Sequence, residues 1–252
     1  MPTYRLDIAY DGTGFRGYAR NEGIRSVQAE IEGMLAVMGG EPIDTVVAGR
    51  TDAGVHARHN VVSFATSVEF EPDRLKGSLT TALGPEIVIT DAAIVPDGFH
   101  ARFSASARSY RYFVDDGGTP DPLRRHSVWA VRWGLDVDRM NAGASAFVGE
   151  HDFASLCRHQ EGRTTERTVM EASWSRDDGL VVYVVRARAF CHQMVRSMVA
   201  LCVDVGRGKV EPAAVPGILE ARDRQAARGA APPHGLVLWE VEFGENRSAT
   251  NA

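Results

Sequence analysis

Lysine is nearly absent from this 252-residue sequence, so its positive charge lies almost entirely on arginine. Only two of the 28 basic residues are lysines, Lys76 and Lys209. Arginine guanidiniums bind phosphate through two parallel hydrogen bonds, although a genome-wide preference for arginine codons would give the same bias. The net charge of −5 at pH 7 argues against a uniformly basic nucleic-acid binder. Binding of a polyanion would depend on local clusters such as residues 99–112, which include three arginines and no acid.

Cysteine and long apolar runs are also scarce. The three cysteines, Cys157, Cys191 and Cys202, are odd in number and widely spaced, so we expect neither a disulfide framework nor a zinc site. No apolar run approaches the roughly 18 residues that a membrane helix needs, and the first residues lack the profile of a secretion signal. With 44% hydrophobic residues, the sequence predicts a folded globular protein of a reducing cytoplasm, with no membrane association.

No complete metal or nucleotide motif is present. His56 and His59 lie close together in sequence, but no HExxH pattern or zinc-ligand spacing accompanies them. The glycine-rich run GTGFRG at 12–17 follows a predicted strand but does not open a helix. A dinucleotide-binding loop would do both. We therefore predict neither a metal site nor a cofactor.

Hydrophobic periodicity predicts an α+β fold made of two similar mixed α/β halves. In the first half, strands are predicted at 3–10, 44–48, 60–65 and 86–95, and helices at 26–35 and 73–83. Ser26 is the expected N-cap of the first helix. The apolar face of that helix is expected to consist of Val27, Ile31, Met34 and Leu35.

The second half follows the same mixed pattern. Strands are predicted at 108–114, 168–175, 180–189 and 237–243, and helices at 137–149 and 191–205. The RDDG run at 176–179 predicts a hairpin, and Gly206 is expected to end the last helix. The helix at 191–205 is expected to face the core with Met194, Val195, Met198, Leu201 and Cys202. We expect domains at 1–105 and 106–244, with a substrate cleft between them and a disordered, apolar-poor tail at 245–252.

The stretch AGRTDAGVHA at 48–57 sets one acid, Asp52, among small, basic and glycine residues, with no further carboxylate until Glu69. This run resembles the catalytic-aspartate motif of the tRNA pseudouridine synthase A family. Six other segments resemble the family in the same order and spacing: YDGTGFRGY (10–18), RSVQAEIE (25–32), FHARFSASARSYRY (99–112), GEHDFASL (149–156), AFCHQMVRSMV (189–199) and APPHGLVLWEVEF (231–243). The resemblance covers essentially the whole chain. It implies a pseudouridine synthase fold, in which two similar mixed α/β halves have largely antiparallel sheets and form a central RNA-binding cleft.

The resemblance implies an isomerase that breaks the N1–C1′ bond of a uridine in tRNA, rotates the base and rejoins it through C5. The family's targets are positions 38 to 40 of the anticodon stem-loop. A carboxylate can act at the sugar carbon as nucleophile or electrostatic stabiliser, so Asp52 is the expected nucleophile or catalytic acid. Arg196 corresponds to the arginine that salt-bridges this aspartate in the family, and Arg50 to a residue that holds phosphate. Considered alone, Asp52 is more typical of a turn or helix N-cap. For Arg196 the alternative is a solvated charge at the edge of an apolar helix.

Tyr110 corresponds to the family tyrosine that stacks on the target base and takes a sugar proton. An aromatic face replaces the stacking that a flipped-out base loses, which is worth about 1–3 kcal/mol per base. Tyr112 shares its face if the segment is a strand. A core tyrosine is the alternative for both residues, and we favour it for Tyr112.

The FHARF run at 99–103 resembles the RNA-contacting segment of the family. Arg102 is expected to hold phosphate, and Phe99 and Phe103 are expected to anchor the segment in the core. His56 is expected to order the active-site loop. The complete set expected to bind or organise the substrate is Arg50, His56, Phe99, His100, Arg102, Phe103 and Tyr110.

Three segments depart from the family pattern. The family's Gly-Trp-Gln is Gly-Tyr-Ala at 17–19, its Gly-Gln-Val is His-Asn-Val at 59–61, and its Asn-x-Leu-Leu-Pro is TTALGPEI at 80–87. We expect these changes to lie near the RNA path and to bear on which uridine is modified.

Two other functions remain open at this stage. One is an RNA-binding or tRNA-folding module with weak or no catalysis, which predicts that Asp52→Ala leaves all function intact. The other is a carboxylate-dependent hydrolase, which would need a second acid near Asp52 that the motif does not offer. The family resemblance further implies a homodimer in which one tRNA spans both subunits.

Overall fold

The computed structural model describes residues 1–227 and 229–244. The chain divides into two units, the first comprising residues 1–108 with the stretch from Leu238, and the second comprising Ser109–Val237. No helix in the described part is long and apolar enough to cross a membrane. The disordered tail predicted at 245–252 lies outside the described residues.

The sheet of the first unit has strand order β4-β1-β3-β10. These strands are β1 (Thr3–Tyr10), β3 (His56–Ala65), β4 (Ile87–Val95) and β10 (Leu236–Phe243), and the short β2 (Val46–Val47) pairs with β3. β1 pairs antiparallel with both β3 and β4, with Leu6 opposite Val62 and Ala92. Alternate residues of β1 are buried, because successive side chains of a strand point to opposite faces. Tyr10 therefore enters the interior at the end of β1 that leads into the YDGTGF motif.

The helices among the described residues of this unit are α1 (Val27–Gly39), α2 (Pro72–Leu83) and the single-turn α3 (Ala101–Ser104). The predicted cap of α1 is confirmed, because the Ser26 hydroxyl accepts a hydrogen bond from the Ala29 N–H at 3.4 Å. Val27, Ile31 and Leu35 are buried as predicted, whereas Met34 is half-buried. α3 carries the FHARF segment and had no helical pattern of its own in the sequence.

The sheet of the second unit has strand order β5-β9-β8-β7. Its strands are β5 (Ala105–Asp115), β7 (Gly149–Asp152), β8 (Glu166–Asp177) and β9 (Leu180–Ala187), and β6 (Trp129–Ala130) pairs in parallel with the end of β5. The predicted hairpin between β8 and β9 is confirmed. Its turn residues Asp178 and Gly179 both have positive φ, at 46° and 75°, which is the backbone of a two-residue type I′ turn.

The helices of the second unit are α4 (Val137–Ala144), α5 (Met194–Gly206) and α6 (Val215–Glu220). The helix predicted at 137–149 was too long, because a 3₁₀ turn follows Ala144 and Gly149, with φ 113°, starts β7. α5 begins at Met194 rather than residue 191, since Gln193 is left-handed with φ 65°. Gly206 is the last residue of α5, as predicted, and an added Cβ there would be 2.7 Å from the Met140 side chain, so close packing also requires this glycine.

The expectation of no disulfide was wrong, because the structure pairs Cys157 with Cys191. Cys157 precedes the β8–β9 hairpin and Cys191 follows it. Because the hairpin reverses the chain, their Cα atoms are 5.7 Å apart although the residues are 34 apart in sequence. The Arg158 N–H also donates to the His192 carbonyl at 2.8 Å. Cys202 is the buried free thiol that made the cysteine count odd, and burial raises its pKa to about 12.

Candidate active site

The segment 48–57 connects β2 to β3 and presents Asp52 at the start of a tight turn. The Val55 N–H donates to the Asp52 carbonyl at 3.1 Å, and Gly54 supplies the positive φ, 77°, that the turn requires. Asp52 is half-buried. The turn chemistry expected of Thr-Asp-Ala-Gly is therefore present, and it fixes the backbone that carries the carboxylate.

The YDGTGFRGY motif at 10–18 packs against this turn through its backbone. The Tyr18 N–H donates to the Thr51 carbonyl at 3.0 Å, and the Gly54 N–H donates to the Phe15 carbonyl at 3.4 Å. Gly12 lies so close to the turn that an added Cβ would overlap the Val55 carbonyl. The glycine-rich run is thus a scaffold for the Asp52 turn.

His56 is buried at the start of β3. Its Nδ1 accepts a hydrogen bond from the Gly12 N–H at 3.1 Å, which ties the 10–18 motif to the segment that follows Asp52. This contact supports the predicted role of His56 in ordering the loop.

A buried polar network lies beneath the Asp52 turn. The Asn60 side chain bonds both backbone groups of Gly49, accepting from the N–H at 3.2 Å and donating to the carbonyl at 2.8 Å. The Tyr10 hydroxyl lies 2.8 Å from Thr51 Oγ1 and accepts from Asn60 Nδ2 at 3.4 Å. Asn60 and Tyr18, two residues that depart from the family pattern, are completely buried.

Arg108 ties the Asp52 segment to the FHARF segment. Its buried guanidinium donates to the Ala48 carbonyl at 3.0 and 3.2 Å and to the Arg102 carbonyl at 2.7 Å. A buried cation that bonds carbonyls from two segments holds them at a fixed spacing. The sequence indicated Arg108 only as one of the arginines of a basic stretch.

The FHARF segment is anchored differently from the prediction. Phe99 is half-buried against Phe243, with ring centroids 5.4 Å apart, and the Ala101 N–H donates to Ser63 Oγ at 3.0 Å. Phe103 was predicted to be a core anchor, but 77% of it is exposed. Residues two positions apart in an α-helix differ by about 200° around its axis. Because Ala101 is buried, Phe103 points to the opposite, exposed side.

The exposed Phe103 ring forms a stacked cluster with its neighbours. The His100 ring stacks on it with centroids 4.4 Å apart and an interplanar angle of 27°. The Arg102 guanidinium lies 5.5 Å from the centre of the Phe103 ring. We call Phe103, His100 and Arg102 the aromatic–arginine cluster.

Arg50, which was predicted to hold phosphate, lies in the first unit and is exposed.

In the second unit, β5 carries both tyrosines of the SYRY run. Tyr110 is buried, and its ring meets the Phe190 ring edge to face with centroids 5.0 Å apart. Tyr112 is fully buried, its hydroxyl donates to the Pro232 carbonyl at 2.8 Å, and burial raises its pKa. The interpretation of Tyr112 as a core residue is confirmed.

Arg196 lies in the first turn of α5 and is held at its backbone and side chain. Its Nε donates to the Ala231 carbonyl at 2.7 Å, and its own carbonyl accepts from the Ala231 N–H at 2.9 Å. It is half-buried, so it is not a fully solvated charge. The APPHG segment at 231–235 thereby fixes the orientation of Arg196.

Sequence reasoning missed Tyr10, Thr51, Asn60 and Arg108, whose contacts hold the predicted site residues of the first unit. The available signal was Asn60, a polar residue between strand residues at a position that departs from the family pattern. Its burial under the turn depends on the pairing of β1 with β3, which periodicity alone does not specify.

Comparison with known proteins identifies the class of enzyme to which this chain is similar. Residues 144–244 match the family model described as tRNA pseudouridine synthase. A tRNA pseudouridine synthase A of Leifsonia xyli subsp. xyli is 44% identical over 262 residues, covering 95% of this chain and 91% of the relative. The proteins of that name from Bacillus subtilis and Halalkalibacterium halodurans are 40% and 39% identical, covering 95% and 100% of this chain and 98% of each relative.

Similarity of this extent covers both units and all seven motifs. The chain belongs to the tRNA pseudouridine synthase A family.

Proposed function

We propose that this protein converts uridine to pseudouridine at positions 38 to 40 of the tRNA anticodon stem-loop, with Asp52 as the nucleophile or catalytic acid. As a member of the tRNA pseudouridine synthase A family, it is an isomerase that acts on uridine in tRNA. The observation that supports the role of Asp52 most strongly is its place at the start of a turn whose backbone is hydrogen-bonded to the 10–18 motif, with Asn60 of β3 holding Gly49 just before it.

The reaction balances without a redox partner. The N1–C1′ bond breaks and its electron pair leaves with N1 of the uracil. The Asp52 carboxylate then stabilises the electron-deficient C1′ or bonds to it. After the base rotates, C5 bonds to C1′, the C5 proton is lost and N1 regains a proton. The product is an isomer of the substrate.

The second unit contributes two further roles. Tyr110 stacks on the target base, and the edge-to-face contact with Phe190 restricts its ring. Arg196 is the cation that favours the ionised form of the catalytic aspartate. Its two bonds to Ala231 limit its movement, which suits a charge that acts at one place.

RNA binding involves the exposed cations and rings of the first unit. Arg50 and Arg102 hold backbone phosphates, and the aromatic–arginine cluster offers the face of Phe103 to an unpaired base. Phe99 supports this surface from beneath through its contact with Phe243.

The test uses tRNA transcripts labelled with [5-³H]uridine, because formation of the C1′–C5 bond releases the tritium. Cytidine replaces uridine at 38, 39 or 40 singly, and at all three together. We expect release from the parent transcript and none from the triple replacement. Release that persists from the triple replacement would refute the assignment to these positions. Binding without any release would favour an RNA-binding module instead.

The proposal extends to assembly and location. A homodimer that shares one tRNA is expected, and analytical ultracentrifugation should give twice the 27.4 kDa chain mass. A monomer that remains fully active would contradict this part of the proposal. The cytoplasm, where tRNA is processed, is the proposed location, and cell fractionation tests it.

A further inference from the structure

Asn60 is a fully buried polar residue whose amide uses its whole hydrogen-bonding capacity. Its Oδ1 accepts from the N–H groups of Gly49 and Val61, at 3.2 and 2.9 Å. Its Nδ2 donates to the Gly49 carbonyl at 2.8 Å and to the Tyr10 hydroxyl at 3.4 Å. The amide therefore fixes the backbone three residues before Asp52.

The Tyr10 hydroxyl continues the network to the residue next to Asp52. It lies 2.8 Å from Thr51 Oγ1, and both side chains are buried. Because the Tyr10 oxygen accepts from Asn60, its hydrogen is available to Thr51. Burial raises the pKa of Tyr10 to about 12, so the phenol keeps that hydrogen at neutral pH.

We infer that Asn60, Tyr10 and Thr51 are positioning residues that hold the Asp52 backbone in its reactive place. The inference rests on the proposed role of Asp52 in catalysis. Displacement of a reacting group by about 1 Å can lower a rate by about a hundredfold, so a buried network that fixes Gly49 and Thr51 acts on turnover. The side chains of Tyr10, Thr51 and Asn60 are buried, and their hydrogen bonds to one another and to Gly49 hold the backbone of the segment, so substrate affinity should depend on them weakly.

Tyr10→Phe and Tyr4→Phe provide a matched pair. Both tyrosines lie on β1 and are buried, and both hydroxyls are bonded, but Tyr4 bonds Phe70, accepting from its N–H at 2.8 Å and donating to its carbonyl at 3.2 Å. We expect Tyr10→Phe to lower kcat about tenfold, with KM for tRNA changed by less than about twofold. Tyr4→Phe should lose comparable stability and retain the wild-type kcat.

Variants of Asn60 and Thr51 test whether the hydrogen bonds that join them to Tyr10 act on turnover. Asn60→Asp removes both donors and should lower kcat, while Asn60→Gln keeps the amide and should recover part of the loss. Thr51→Val should lower kcat like Tyr10→Phe, and the double variant should be no worse than the poorer single variant, because both break one hydrogen bond. If Asn60→Asp does not fold, the two hydroxyl deletions still decide the question, since they preserve side-chain shape.

The inference is overturned if Tyr10→Phe keeps the wild-type kcat, or if Tyr4→Phe loses as much kcat as Tyr10→Phe. Asp52→Asn separates this failure from that of the proposed function. Full turnover by Asp52→Asn would refute the proposed role of Asp52. An inactive Asp52→Asn beside a fully active Tyr10→Phe would refute the positioning network alone.

Discussion

At the scale of single residues, exposure decides what an aromatic side chain can do. Phe103 and Tyr112 both lie in the FHARFSASARSYRY stretch, and both were interpreted as core residues. The structure buries Tyr112 and exposes Phe103. The sequence did not distinguish them, because one turn of helix at Ala101–Ser104 is too short to leave a periodic pattern.

Replacement of Phe103 tests the aromatic–arginine cluster. Phe103→Ala should weaken tRNA binding by about 1–3 kcal/mol through loss of base stacking, measured by filter binding. Thermal stability should change little, because the ring is 77% exposed. Phe103→Trp should preserve affinity, and Val37→Ala, at a 75% exposed apolar residue on α1, serves as the control. Equal affinity of Phe103→Ala and wild type would remove Phe103 from the RNA-binding set.

Asp7 links residue chemistry to the pH dependence of stability. Burial raises the pKa of its carboxyl, but hydrogen bonds from His59 and Arg5 outweigh burial and leave the pKa below its ordinary value. The ionised carboxylate therefore stabilises the fold above about pH 4, and this stabilisation is lost as the pH falls through the lowered pKa.

Asp7→Asn should be less stable than wild type at pH 7, and its free energy of unfolding should fall less between pH 5 and pH 3. Urea denaturation at several pH values measures both effects. The exposed Asp97→Asn variant should keep the wild-type pH dependence. If the free energy of unfolding of Asp7→Asn falls as much as that of wild type between pH 5 and pH 3, the contribution assigned to Asp7 is contradicted.

At the scale of elements, regular patterns were predictable and interruptions were not. β1, α1 and the β8–β9 hairpin could be predicted because alternation, an N-cap and turn residues all agreed. The end of α4 and the start of α5 depend on the backbone of Gly149 and Gln193, which composition does not reveal. The network beneath Asp52 depends on the pairing of β1 with β3, so the sequence indicated Asn60 as unusual but not its partners.

The Cys157–Cys191 pair is a consequence of the hairpin. Unfolded protein without reductant should show one titratable thiol, that of Cys202, and three after reduction. A disulfide that closes a loop of this length contributes about 4 kcal/mol in the chain-entropy account, so reduction should lower the free energy of unfolding. Three thiols before reduction would show that the two cysteines are adjacent but unbonded.

At the scale of the whole molecule, an acidic chain is proposed to bind an acidic polymer. The net charge of −5 requires that local arginines carry the interaction. Each phosphate contact contributes about 0.7–0.9 to the slope of log affinity against log salt concentration. Arg102→Ala should reduce that slope by about this amount and weaken binding of all tRNA sequences alike, whereas Arg74→Ala on α2 should leave it unchanged. A slope that Arg102→Ala does not alter would contradict its phosphate contact.

The most direct test of the account compares tritium release by wild type and Asp52→Asn on [5-³H]uridine-labelled tRNA, with tRNA affinity measured in parallel. The account predicts release by wild type, none by Asp52→Asn, and affinities within about threefold of each other. Release by Asp52→Asn at a rate near that of wild type would contradict the central claim that this single carboxylate carries the chemistry.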